Sequence, residues 1–119
     1  MRQHDFIERS CPRKNASLRI DYYGDNAEGM GYATDVGRDG MFLKVNEPIA
    51  ESEQLQLIFQ LPYGDRPTIR AMGEVVRIVT PADDPSRPYG VGIRLSRISG
   101  RDRQALSRFV DHTPEGADE

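Results

Sequence analysis

Apolar residues recur at every second position in this chain, in short runs cut off by Gly, Pro, Asn and Asp, and that pattern restricts its fold more than any other feature. A period of two is the pleat of a β-strand with one buried face, and it does not fit a helix. In the first run, residues 17–23, Leu18, Ile20 and Tyr22 share one face and Arg19, Asp21 and Tyr23 the other. Residues 24–29 form a Gly/Asn-rich turn, and a second strand is predicted over 30–34. Residues 35–40, Asp35-Val36-Gly37-Arg38-Asp39-Gly40, then read as a tight connection. Met41, Leu43 and Val45 share a face of the third strand, and Leu55, Leu57, Phe59 and Leu61 mark the fourth, over 54–61. The fifth and longest is predicted over 68–79, with Gly73 at a bend or bulge. In the sixth, Tyr89, Val91, Ile93 and Leu95 point inward.

A different period follows. Ser99 is a helix N-cap with Asp102 three residues on, in the manner of a capping box, and Ala105, Leu106, Phe109 and Val110 form one apolar stripe. This helix is expected to dock on a barrel mouth or to cover a sheet edge. Short strands with turn signals between them favour closure, because closure removes unpaired edges. The predicted fold is therefore all-β: a six-stranded antiparallel β-barrel with one C-terminal α-helix. The 119 residues suffice for one domain. Residues 1–14 are read as an N-terminal arm, 15–111 as barrel and helix, and 112–119 as a disordered acidic tail.

Composition removes several functions. A net charge of −3, from 16 basic against 19 acidic residues, gives no global field to attract duplex nucleic acid or a membrane surface. No apolar run is long enough for membrane insertion or a signal peptide, and the lone Cys11 forms no intramolecular disulfide, so the expected setting is cytoplasmic. His4 and His112 sit at opposite ends without a Cys cluster, which leaves no metal constellation and no implied cofactor. Nor is there a His-paired nucleophile or a paired-carboxylate pocket, so an enzyme is not expected. Met30, Met41 and Met72 are read as core fillers, and Tyr22, Tyr23, Tyr32 and Tyr89 as barrel-wall residues.

Two segments remain as chemistry. Arg9 and Arg13 stand four residues apart in the arm, and two guanidinium groups form a multi-donor clamp suited to phosphate oxygens or to guanine O6 and N7. In the 35–40 connection, Gly37 and Gly40 let backbone approach a ligand closely, while Asp35 accepts hydrogen bonds or orients an arginine. Lys14 and Arg38 are secondary candidates. An Arg-x-x-x-Arg arm, a strand, then Asp-x-(small)-x-x-Gly leading into an apolar strand resembles the PilZ domain family. The run Tyr89-Gly90-Val91-Gly92-Ile93-Arg94-Leu95 and the helix holding Arg103, Ala105, Leu106 and Phe109 are similar to that family's final strand and helix.

The resemblance covers about residues 8–111. It implies a split-barrel fold that binds cyclic di-GMP, with Arg9 and Arg13 on guanine edges and phosphates and Asp35, Gly37 and Gly40 in the second motif. It also implies a switch that acts on a protein effector, in motility, pilus or polysaccharide control. The chain departs from the family pattern at Gly37, where serine is usual, and at Glu8, where a further arginine is often found. A missing hydroxyl donor is worth roughly 0.5–1.5 kcal/mol, up to about tenfold in affinity. Asp39 adds a carboxylate that repels phosphate unless Arg38 neutralises it. These departures leave open a second reading, a module of the same fold that works through constitutive protein contacts without the nucleotide.

Overall fold

The computed structural model describes residues 13–80, 82 and 89–111, with side chains from Ser17 onward. The elements are β1 (Arg13–Gly24), β2 (Glu28–Gly37), β3 (Gly40–Lys44), β4 (Gln54–Gln60), β5 (Thr68–Val79), β6 (Gly90–Ile98) and α1 (Gly100–Asp111). The strands close into one antiparallel barrel in the order β1-β2-β3-β6-β5-β4, as the alternation and turn signals led us to expect. The arm residues 1–12, with His4, Arg9 and Cys11, lie outside the described residues, as do Asp83, Asp84, His112 and the tail.

Each predicted strand is present, and the differences lie at the ends. β1 begins at Arg13, not at residue 17, and the pairing with β2 slips between Asn15 and Leu18. That bulge breaks the period of two, so the first turn of the alternation is hidden in the sequence. The arm–barrel boundary drawn after Lys14 consequently falls inside β1. β2 likewise continues to Gly37, so the 35–40 stretch is no loop. Its first three residues end β2, Gly40 opens β3, and only Arg38 and Asp39 turn the hairpin.

Side chains from all six strands fill the barrel, among them Ile20, Tyr22, Val36, Leu43, Leu57, Ile69, Val75 and Val91, each at most 1 % exposed. Met41 belongs to this core, but Met30 is exposed on the outer face, against the expectation of a core filler; Tyr23 and Tyr32 lie exposed on the outside of the barrel wall. Gly73 sits where the β5–β6 pairing slips, the bulge foreseen for it, and a Cβ there would meet Ile93 Cγ2 at 2.5 Å.

A closed barrel offers no edge, so α1 packs on the barrel end, burying Leu106, Phe109 and Val110 in the common core. Ser99 caps the helix through its Oγ, which accepts the Asp102 N–H at 3.1 Å. Asp102 does not complete a reciprocal box. Its Oδ2 instead accepts the Arg70 N–H of β5 at 3.1 Å, which clips the first turn to the barrel. Tyr63 holds the other side: its ring lies 6.0 Å from that of Phe109, and its hydroxyl donates to the Ala105 carbonyl at 2.9 Å.

Tyr22 gives the core a dependence on alkaline pH. Its hydroxyl donates to Glu47 Oε2 at 3.2 Å, and its pKa is pushed up to about 12, first by burial, then by the Glu47 charge and this hydrogen bond. A pKa raised in the folded state means full stabilisation below the unfolded value of 10.0, lost as pH climbs towards 12. Two units correspond to at most about 2.7 kcal/mol. Urea denaturation at pH 9 and pH 12 is expected to show this loss in the wild type. In Tyr22→Phe that component is absent, so the difference between the two proteins narrows at high pH. An equal loss in both would remove Tyr22 as its source.

Candidate functional site

The β2–β3 hairpin is built by strand parity. Val36 faces the core with no exposure, so by strand parity Asp35 and Gly37 fall on the opposite face of β2, Gly37 itself being buried. Asp35 is half-buried there, and its register partner across the hairpin is Phe42 of β3. The β2–β3 pairing slips between Ala33 and Asp35, which resets the two strands just before the turn.

Three contacts fix the tip of the hairpin. The Leu95 N–H of β6 donates to the Asp39 carbonyl at 2.8 Å. The Asp39 carboxylate meets Arg103 Nη1 of α1 at 3.5 Å. Gly40 lies against β6 so closely that a Cβ would run into the Ile93 carbonyl. Arg103 is thus a cation that faces Asp39 from the helix, in addition to the neighbouring Arg38 that the sequence offered. Arg38 is half-buried in the turn beside it. The close approach of β3 to β6 by itself requires glycine at position 40.

The two sequence motifs meet through the β1–β2 ladder. Arg13 is the register partner of Gly37, Lys14 of Val36 and Asn15 of Asp35. Partners in such a ladder have Cα atoms about 5 Å apart, so the arginine that ends the first motif stands beside the centre of the second. For Arg13 and Lys14 this is a statement about backbone alone, and Arg9 lies outside the described residues.

Two residues on the same face escaped the sequence reading. Phe42 is only 4 % exposed although it alternates outward from Met41 and Leu43, and its ring lies across Gly90, where a Cβ would strike it. Its outward parity was readable from the alternation. Arg77 faces Gly92 across the β5–β6 pairing, and a slip between Val75 and Arg77 conceals that parity.

A cleft of about 780 Å³ lies elsewhere, between the β4–β5 turn and the helix, lined in part by Tyr63, Asp65, Arg70 and Arg101. It contains none of the motif residues. Among the described residues there is no group of three His, Cys, Asp or Glu side chains that could hold a metal, and no helix is long and apolar enough to cross a membrane.

Comparison with known proteins gives the arrangement a context. The family model described as "PilZ domain" matches residues 7–112. Among solved structures, the Bacillus subtilis inhibitor of motility, MotI/DgrA, superposes with a TM-score of 0.74 at 22 % identity over 87 % of this chain. The chain spans 50 % of the MotI/DgrA chain. The PilZ domain of YcgR from Escherichia coli, solved with c-di-GMP, gives a TM-score of 0.62 at 16 % identity, covering 87 % of this chain and 89 % of that one. No curated protein sequence matches.

Proposed function

The chain belongs to the PilZ domain family, and from that premise we propose that it is a receptor for cyclic di-GMP which regulates a protein effector. The observation that supports this reading is the register of Arg13 with Gly37, which sets the backbones of two motifs separated in sequence side by side. The ligand offers two phosphates and two guanines, and a guanidinium fork fits both the phosphate oxygens and the O6/N7 edge. Arg9 and Arg13 grip these groups, with Asp35 orienting a base or an arginine and Gly37 and Gly40 allowing backbone to come close. Lys14 and Arg38 add charge at the rim.

The YcgR domain was solved with the nucleotide and MotI/DgrA is an inhibitor of motility, which supports the ligand and a setting in motility control, with pilus or polysaccharide control as the other settings of this reading. Ordering of the arm over the ligand is the event that a partner protein reads. Nothing in this mechanism requires catalysis or a cofactor.

Calorimetric titration of the purified protein with cyclic di-GMP tests the reading. Saturable heat supports it; its absence from protein shown to be folded leaves the ligand-free interaction module, the reading that Gly37 favours. Within the receptor reading, Gly37→Ser restores a hydroxyl at the centre of the second motif. Position 37 has no positive φ to oppose a side chain but is buried, so the thermal midpoint is the folding control, and the folded variant is expected to bind up to about tenfold more tightly. An unchanged dissociation constant would mean that the hydroxyl has no partner here.

A further inference from the structure

Outward side chains of β1 and β2 gather into an apolar patch towards the end of the barrel away from the hairpin. Tyr23, Met30 and Tyr32 are 45, 38 and 43 % exposed, and they are three of the four large apolar side chains left exposed among the described residues. The strand register sets them together. Tyr23 stands opposite Glu28, Met30 opposite Asp21, and Tyr32 between Arg19 on β1 and Lys44 on β3. Beside Met30 and Tyr32 the surface sinks into a recess of about 400 Å³, lined in part by Lys44, Val45 and Tyr89. Single apolar side chains on a surface need no explanation, but a contiguous group beside a recess marks a contact surface.

The charges around the patch say what covers it. Arg19 is paired with Asp21 at 3.3 Å, and Glu47 accepts the Tyr22 hydroxyl. Lys44 and Glu28 are both exposed and, among the described residues, make neither an ion pair nor a side-chain hydrogen bond. The uncommitted cation lies level with Tyr32, the uncommitted anion sits four residues earlier on β2, and Met30 is midway between them. A two-fold axis running across β2 at Met30 exchanges these two ends. It lays Met30 on Met30 of the second copy, brings Lys44 beside Glu28 of the second copy, and sets the Tyr23 ring over Arg19 of the second copy. The face is complementary to itself in charge as well as in apolar surface.

We propose that this face joins two copies of the chain into an isologous dimer, with β2 packed antiparallel on β2 and Met30 of each copy at the mouth of the other's recess. An unbranched thioether suits that position, because it adapts to an irregular gap. Met30 and Gly37 stand seven residues apart on β2, about 23 Å of strand, so the two hairpins lie at opposite ends of the pair. The dimer is therefore independent of the receptor reading and forms without any nucleotide. Three side chains supply only the centre of a standard interface of about 800 Å² per partner, which sets the expected dissociation constant on the order of 10–100 µM.

Sedimentation equilibrium of the chain alone, from about 5 µM to about 1 mM, tests this. The wild type is expected to pass from monomer to dimer and no further. Met30→Asp places two like charges on the axis and is expected to weaken association at least about a hundredfold. Lys44→Glu and Glu28→Lys each set like charges side by side and weaken it about tenfold, whereas the double variant restores the pair and returns to within about threefold of the wild type. Circular dichroism of dilute samples checks the fold of each variant, and the charge series, which leaves the apolar side chains alone, decides the matter if Met30→Asp does not fold. A wild type that stays monomeric throughout overturns the proposal and leaves the face to a different protein. A dimer that persists in folded Met30→Asp overturns it as well, and a charge swap that fails to restore association overturns the antiparallel arrangement.

Discussion

Arg9→Ala and Arg13→Ala are each expected to weaken cyclic di-GMP binding by about 2–5 kcal/mol, roughly thirtyfold to several thousandfold. The size follows from what is left behind. Removing one guanidinium from a closed site strands a phosphate charge or a guanine edge without its donors, and that desolvated group costs more than the lost contact alone. Position 13 is the sharper test, because its backbone pairs with that of Gly37 in the second motif. Calorimetry on each variant, with the thermal midpoint as a folding control, gives the answer. Binding that survives both substitutions at wild-type strength would dispose of the clamp.

Gly40→Ala and the larger Gly40→Val are expected to lose stability, by about 1–3 kcal/mol for the alanine and more for the valine. The added Cβ meets the Ile93 carbonyl, which is part of the β3–β6 ladder and cannot swing aside as a side-chain tip would. Urea denaturation measures the loss directly. A stable Gly40→Val would mean that β3 and β6 separate more easily than this packing allows. The prediction bears on how motif variants are interpreted. A glycine at the end of the second motif looks like a ligand contact in sequence, yet here it is demanded by strand packing, so weak binding in a Gly40 variant reports on the barrel as well as the site.

Much of the fold was legible because it is governed by local rules. Alternation in Leu55, Leu57, Phe59 and Leu61 named β4 almost to the residue, and Ser99 announced the helix through its capping chemistry. Closure followed from the number of short strands and the need to hide their edges. What escaped is non-local. Bulges at Asn15/Leu18, Ala33/Asp35 and Val75/Arg77 shift parity without any glycine or proline to mark them, so strand ends and facing residues were misread there. The pairing of Arg103 with Asp39 was invisible for a related reason: it joins a helix to a turn across more than half the chain, and nothing in either segment names the other.

The fastening of the Asp39 tip has a thermodynamic consequence for recognition. Leu95 N–H and Arg103 hold the hairpin in place without any nucleotide, so on the receptor reading this wall loses little conformational entropy when it is occupied. Substitutions that loosen this fastening then reset the concentration at which such a receptor responds, without touching a ligand contact.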